Sequence, residues 1–294
     1  MESLGAADGI ASRFAAYVEG LASALGHADR AAPFRAYCTG LILPGDRKSV
    51  EPMAARVAPG RVGAAHQSLH HFVAKAAWDD AAVLAGVRDL VLPALLERGP
   101  IRAWIIDDTG MPKKGRHSIG VARQYCGQIG KQDNCQVAVS LSLATDHASF
   151  PVAFRLYLPE AWAGDAERRA RTGVPDGVVF QTKPAIALDQ IRTAMVAGLP
   201  PGVVLMDAGY GNDTALREGV IALGLAYVAG NQSSLTVWPP GVEPLPPRPW
   251  SGKGRRPKLL RRAAGLPVRR CSRSRRAPGG GAPGGVAADR VARG

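Results

Sequence analysis

Apolar positions follow a helical period through the first third of the chain and a strand period after it. Phe14, Val18, Leu21 and Leu25 fall four, three and four residues apart, which puts them on one face of a helix. Phe34, Tyr37, Cys38 and Leu41 repeat the pattern. A charged, proline-containing stretch at 46–53 interrupts it and predicts a turn into another helix. Leu69, Phe72, Val73 and Ala76, then Val83, Leu84, Val87 and Leu90, predict two further helices over 66–96. Residues 1–97 therefore read as a helical N-terminal domain.

From Ile101 the period changes. Residues 103–106 form an apolar run of strand length that ends in Asp107 and Asp108. Residues 136–145 alternate apolar and small polar side chains, and 149–158 alternate likewise, with a turn between them. This predicts an antiparallel pair. Residues 159–183 are polar and irregular and read as an insertion. Residues 184–196 predict a helix with proline at its start. The continuous apolar run 203–206 predicts a strand covered on both faces, and it ends at Asp207. A helix over 214–223 and a third buried strand over 225–228 follow. Strand, two antiparallel strands, helix, strand, helix, strand is the order of a mixed α/β sheet. Aspartates stand at the ends of two of its strands, where ligands of such sheets bind.

Composition changes this picture at one end only. The net charge is +13, yet residues 248–294 hold 12 Arg, 2 Lys and 1 Asp and so carry all of it. Residues 1–247 balance 23 basic against 23 acidic side chains. The basic balance is a property of the tail and does not mark the body as nucleic-acid binding. Residues 241–294 are rich in Pro, Arg and Gly without apolar period and are expected to be a disordered basic tail. The four cysteines, Cys38, Cys126, Cys135 and Cys271, form no CxxC pair, so neither a structural zinc nor a disulfide framework is expected. The N-terminus lacks a basic-then-apolar leader pattern, and no run approaches the ~18 apolar residues of a membrane helix. A cytoplasmic protein with no membrane partner is expected. His66, His70 and His71 have no acidic or cysteine partner at ligand spacing and read as surface or DNA-facing side chains.

The chemistry gathers at 104–136. Side chains alternate along a strand, so only one of Asp107 and Asp108 can face a given site. A Gly-rich basic arm follows, with Lys113, Lys114, Arg116, His117, Arg123 and Lys131. One reading is a strand capped by a polar Asp-Thr-Gly turn. The other is a carboxylate beside a phosphate-binding arm. Asp207, 99 residues after Asp108, also follows an apolar strand. Two carboxylates side by side repel each other unless a cation lies between them. Mg²⁺ (or Mn²⁺) takes oxygen ligands together with water and phosphate oxygens. A pair of such ions serves phosphodiester transfer, and the arm would position the phosphate chain.

Several motifs resemble one family. They are Asp107-Asp108-Thr109-Gly110, the arm from His117 to Gly127, Asn134-Cys135-Gln136, and Met206-Asp207-Ala208-Gly209-Tyr210-Gly211. Residues 47–54 and 66–80 contribute as well. The sequence resembles an insertion-sequence transposase of the DDE superfamily from about residue 30 to about residue 255. The resemblance implies a ribonuclease-H-like catalytic core over 98–240. It implies an endonuclease and strand transferase that cuts element ends and joins them to target double-stranded DNA by two-metal chemistry. It implies Asp108 as first acid, because the family places that acid directly before Thr, and Asp207 as second. It also allows a homodimer and implies a nucleoid-associated location in a bacterial cytoplasm. The family's third acid is a glutamate on a helix after the sheet. After Gly230 only Glu243 and Asp289 are available, and neither stands in a helical pattern. The tail reads as a frame translated out of register, so the chain is expected to stop before the third ligand and to be inactive in cleavage.

Two alternatives stay open. A non-catalytic DNA-binding remnant of the same family would keep the helical domain and the basic tail. An aspartyl-phosphate phosphatase would use Asp107 as nucleophile, Lys183 as its lysine, and Gly209-Tyr210-Gly211-Asn212-Asp213 as its acidic loop.

Overall fold

A computed structural model describes residues 2–232, 236–237, 242–265 and 269–270. The first third is helical: α1 (Glu2–Ala22), α2 (Ala31–Ile42), α3 (Val50–Val57), α4 (Val62–Ala74) and α5 (Asp80–Leu96). The apolar faces read from the spacing meet in part, with Leu41, Val73 and Leu90 left exposed. Val18, Leu21 and Leu25 pack with Phe34 and Phe72 in one buried cluster. Phe72 stacks on Trp78 at 5.8 Å between ring centroids, and the Trp78 indole N–H donates to the Phe72 carbonyl. Met53, Ala54 and Leu69 form a second cluster between α3 and α4. Asp79 starts α5 by accepting from the Ala81 N–H at 2.9 Å.

The sheet follows. β1 (Ala103–Pro112) runs antiparallel to β3 (Lys131–Ala144) over its whole length, from Ala103 opposite Ala144 to Pro112 opposite Cys135. The far edge of β3 takes β2 (Ala122–Cys126) at its start and β4 (Ser149–Leu156) further on, both antiparallel. On the other side β5 (Val203–Met206) lies parallel to β1, and β6 (Tyr227–Ala229) parallel to β5. The order through the middle is therefore β4-β3-β1-β5-β6, with β3 alone reversed. That is the strand order and direction of the ribonuclease-H-like fold, and the molecule is a mixed α/β protein.

The helical crossovers lie between β4 and β6. α6 (Glu160–Ala163) and α7 (Ala166–Thr172) precede α8 (Lys183–Val196); α9 (Ala208–Gly211) and α10 (Thr214–Ala222) follow β5. Trp104, Ile106, Val139, Leu141 and Leu143 face Ile186, Ile191, Leu216 and Val220 in the largest buried cluster. The side chains of β1 that point into it are the even-numbered ones, a register that continues outward to Asp108.

Three details depart from the sequence expectations. β5 is covered fully on one face and partly on the other: Val204 and Met206 are buried, whereas Leu205 is half-buried and Val203 is 36% exposed. Val228 of β6 is 54% exposed, so that strand is not fully buried either. An apolar run reports hydrophobicity but not how many layers cover it. Residues 159–183 are not irregular throughout. Trp162, 1% exposed, anchors α6 in a small cluster with Val121, Leu158 and Val174, and Asp165 caps α7 by accepting from Arg168 N–H. One tryptophan supplies the anchor that the polar composition hides.

Residues 242–265 contain an isolated bridge between Leu245 and Arg261 and no regular helix. A two-residue ribbon joins β7 (Thr236–Val237) to β8 (Arg269–Arg270). The expectation of a disordered tail over 241–294 falls for residues 241, 266–268 and 271–294 outside the described residues, as does Asp289. Among the described residues no helix is long and apolar enough to cross a membrane.

Candidate functional site

The parallel pairing of β1 and β5 ends with Ile106 opposite Met206. Asp108 lies two residues beyond that pair on β1, and Asp207 one residue beyond it after β5. Asp207 therefore directly follows the end of β5, whereas Asp108, which the sequence placed at a strand end, lies inside β1 just past its pairing with β5, because β1 goes on to Pro112 along β3. Asp207 starts α9: its Oδ1 accepts from the backbone N–H groups of Gly209 (2.9 Å) and Tyr210 (3.2 Å). This cap turns Tyr210 back over the sheet, where its hydroxyl donates to Asp108 Oδ2 at 3.4 Å. One residue thus touches both carboxylates, Asp207 through its amide and Asp108 through its hydroxyl.

The loop after Asp207 can lie close to the end of β6 because both partners lack a side chain. A Cβ on Gly230 would stand 3.0 Å from the Ala208 nitrogen, and one on Gly211 would collide with the Gly230 carbonyl. Arg217, 6% exposed, donates to the Gly211 carbonyl and to Thr214 Oγ1 and holds this loop from below.

Lys183, at the start of α8, places Nζ 2.8 Å from Asp108 Oδ2. About a quarter of each side chain's surface is exposed. Tyr210 is 4% exposed. Burial first, and the Asp108 carboxylate second, push its hydroxyl well above the ordinary tyrosine range. It therefore stays protonated and acts as a donor. Asp107 points the other way. It is exposed, and its Oδ1 accepts from the Asp108 N–H at 2.7 Å.

The basic arm is tied down by its backbone. Asn134 Nδ2 donates to the carbonyls of Lys113 (2.7 Å) and Gly115 (2.9 Å), and Gln136 Nε2 to that of Ile119 (2.6 Å). The Trp162 indole donates to the Val121 carbonyl at 2.7 Å, and Arg168 to that of Arg116 at 2.7 Å. With carbonyls engaged inward, the side chains of Lys114, Arg116, His117, Arg123 and Lys131 are exposed and Lys113 is half-buried. Lys131 lies 3.7 Å from Asp133. His66 and His70 sit one turn apart on α4 with ring centroids 6.1 Å apart.

Sequence reasoning missed two residues of this cluster in their present roles. Lys183 was visible only through the phosphatase pattern, which pairs it with Asp107, whereas it meets Asp108. Its contact spans 75 positions, and no local signal reveals it. Tyr210 had a local signal: an aspartate before Ala-Gly-Tyr is a cap, and a cap fixes the residue three positions on. As hard oxygen donors, Asp108 and Asp207 suit Mg²⁺ or Mn²⁺. Asp108 Oδ2 is engaged by Lys183 and Tyr210, and Asp207 Oδ1 by the α9 cap. Among the described residues no group of three or more His, Cys, Asp or Glu side chains forms a metal cluster.

The chain matches the DDE superfamily endonuclease family over residues 20–276. It is also 35% identical over 169 residues to a probable transposase for insertion sequence element IS701 from Microchaete diplosiphon. That alignment takes in 57% of this chain and 41% of the relative, so the chain spans about two fifths of the length of the curated relative it matches.

Proposed function

Because the chain belongs to the DDE superfamily of endonucleases, we propose that it derives from an insertion-sequence transposase and acts on the ends of double-stranded DNA elements. The observation that carries this reading is that Tyr210 touches both Asp108 and Asp207 just past the point where the parallel strands β1 and β5 stop pairing. Asp108 and Asp207 are the catalytic and metal-holding acids. Mg²⁺ or Mn²⁺ held there would activate the attacking oxygen and neutralise charge on the phosphodiester. Tyr210 keeps Asp108 oriented, and the Asp207 cap fixes the second carboxylate. Lys113, Lys114, Arg116, His117, Arg123 and Lys131 contact the phosphate backbone without reading sequence. Residues 1–97 act as a helical unit, supported by two buried clusters of their own, while Leu92 and Leu95 of α5 pack into the cluster of the sheet. Residues 98–240 carry the cleavage site. A cytoplasmic, nucleoid-associated protein, monomeric or homodimeric, fits this role.

Asp108 and Asp207 are the two carboxylates read at this site, and among the described residues no group of three or more His, Cys, Asp or Glu forms a metal cluster. Two-metal cleavage is served by a further carboxylate, so this 294-residue chain is expected to bind DNA in a salt-sensitive way with little or no cleavage. The phosphatase reading loses support on two counts. Lys183 pairs with Asp108 rather than with the required nucleophile Asp107, and β3 lies antiparallel beside β1. The purified chain would be incubated with element-end DNA and Mg²⁺ or Mn²⁺. Specific nicking that disappears in Asp207→Ala would overturn the expected inactivity. A preference for small phosphomonoesters, abolished in Asp107→Asn, would overturn the transposase reading.

A further inference from the structure

Lys183 is placed with more care than a surface cation needs. Thr182 caps α8 by accepting from the Ala185 N–H, and Pro184 fixes the backbone beside the lysine. Nζ also lies 5.6 Å from the centroid of the Tyr157 ring, within the range of a cation–π contact. A partly exposed ion pair of this kind contributes little to stability, so the fold does not require it. An ammonium group has three N–H donors. Among the described residues Asp108 is the one acceptor of Lys183, which leaves donors for another anion.

Charge counting gives the direction. Asp108, Asp207 and Lys183 sum to one negative charge. One divalent cation turns that into one positive charge, which suits a phosphodiester anion. A second divalent ion would leave a large positive excess unless a further carboxylate joined.

We propose that Lys183 is a substrate-positioning residue. Its remaining donors hold a non-bridging oxygen of the DNA phosphodiester beside the cation carried by Asp108 and Asp207. The proposal rests on the cation-binding reading of those two aspartates. A lysine suits the task because it offers a point charge with rotatable donors.

The test uses the full chain and two measurements that need no cleavage. Mn²⁺ binding without DNA is followed by the electron paramagnetic resonance of the free ion. Binding of a labelled DNA duplex is followed by fluorescence anisotropy with and without Ca²⁺. Lys183→Met should bind Mn²⁺ at least as tightly as the parent chain, since a neighbouring positive charge is gone. It should lose about tenfold in DNA affinity when the divalent ion is present, the loss of one hydrogen bond to a charged group. Lys183→Arg should recover most of that loss. Weaker Mn²⁺ binding in Lys183→Met would overturn the proposal, because the lysine would then merely hold the carboxylate. Unchanged cation-dependent DNA binding would overturn it as well. Mn²⁺ binding that survives Asp207→Asn would instead refute the cation reading itself, in an arm of the experiment that does not involve the lysine.

Discussion

Truncating Trp162 tests whether the inserted helices hold the basic arm in place. The indole is 1% exposed and packs on Val121, Leu158 and Val174. Its N–H reaches the Val121 carbonyl at 2.7 Å, and the Arg168 guanidinium lies 3.5 Å from the ring centroid. Trp162→Ala removes the packing, a loss of about 3–5 kcal/mol at a buried site. Trp162→Phe keeps most of the packing and strands the Val121 carbonyl, a loss of about 1–3 kcal/mol. Val121 closes the loop that carries Lys113, Lys114, Arg116 and His117, so the cost should fall on local opening of that loop. Each ~1.4 kcal/mol multiplies the open population by about ten. Trypsin cuts after Lys113, Lys114 and Arg116, and its rate follows that population while the loop recloses faster than it is cut. Cleavage in the arm should accelerate by about 5- to 100-fold in Trp162→Phe, and further in Trp162→Ala. An unchanged rate at these three sites, with a lowered melting temperature, would refute the reasoning and make Trp162 an ordinary core residue.

Asp108→Asn in a cleavage-competent relative with the same motif should abolish DNA cleavage, while Asp107→Asn should leave part of it, because Asp107 is exposed on the other face. Cleavage assays that gave the reverse order would assign the reacting group to Asp107. Replacing Lys113 and Lys114 together by Ala should weaken DNA binding similarly for all sequences. The slope of log affinity against log salt should flatten by up to about two, and an unchanged slope would make these lysines a solvated turn.

The sheet was legible because its signals are local. Alternation marked β3 and β4, and a four-residue apolar run marked β5 with its bounds intact. β2 was hidden, since Ala122-Arg123-Gln124-Tyr125-Cys126 has no apolar alternation and pairs through backbone bonds with β3. The extension of β1 to Pro112 was hidden for the same reason: past Asp107 the strand is held by its register with β3, and its one buried position, Gly110, carries no apolar side chain to signal it. Coverage of β5 was misjudged because hydrophobic composition cannot count layers. At the site, Asp207 was legible from a strand end, and Asp108 from the apolar run before it, although β1 does not end there. The Asp108–Lys183 pair was not, because a contact between a strand and a helix start 75 residues later depends on how α8 crosses the sheet.

Asp207 shows why a site of this kind leaves a mark in the sequence at all. One of its oxygens caps α9, a structural task that Asn or Ser performs about as well. A carboxylate at that position is therefore not explained by the cap. The same holds at Asp108, where a strand continues through the residue and a β-branched side chain would suit the sheet better. Neither carboxylate stabilises its own element more than a neutral residue would, and both touch Tyr210, Asp207 at its amide and Asp108 at its hydroxyl. Lys183 offsets only one of the two negative charges. One negative charge is left over, and a bound cation is the ordinary way to offset a charge of that kind.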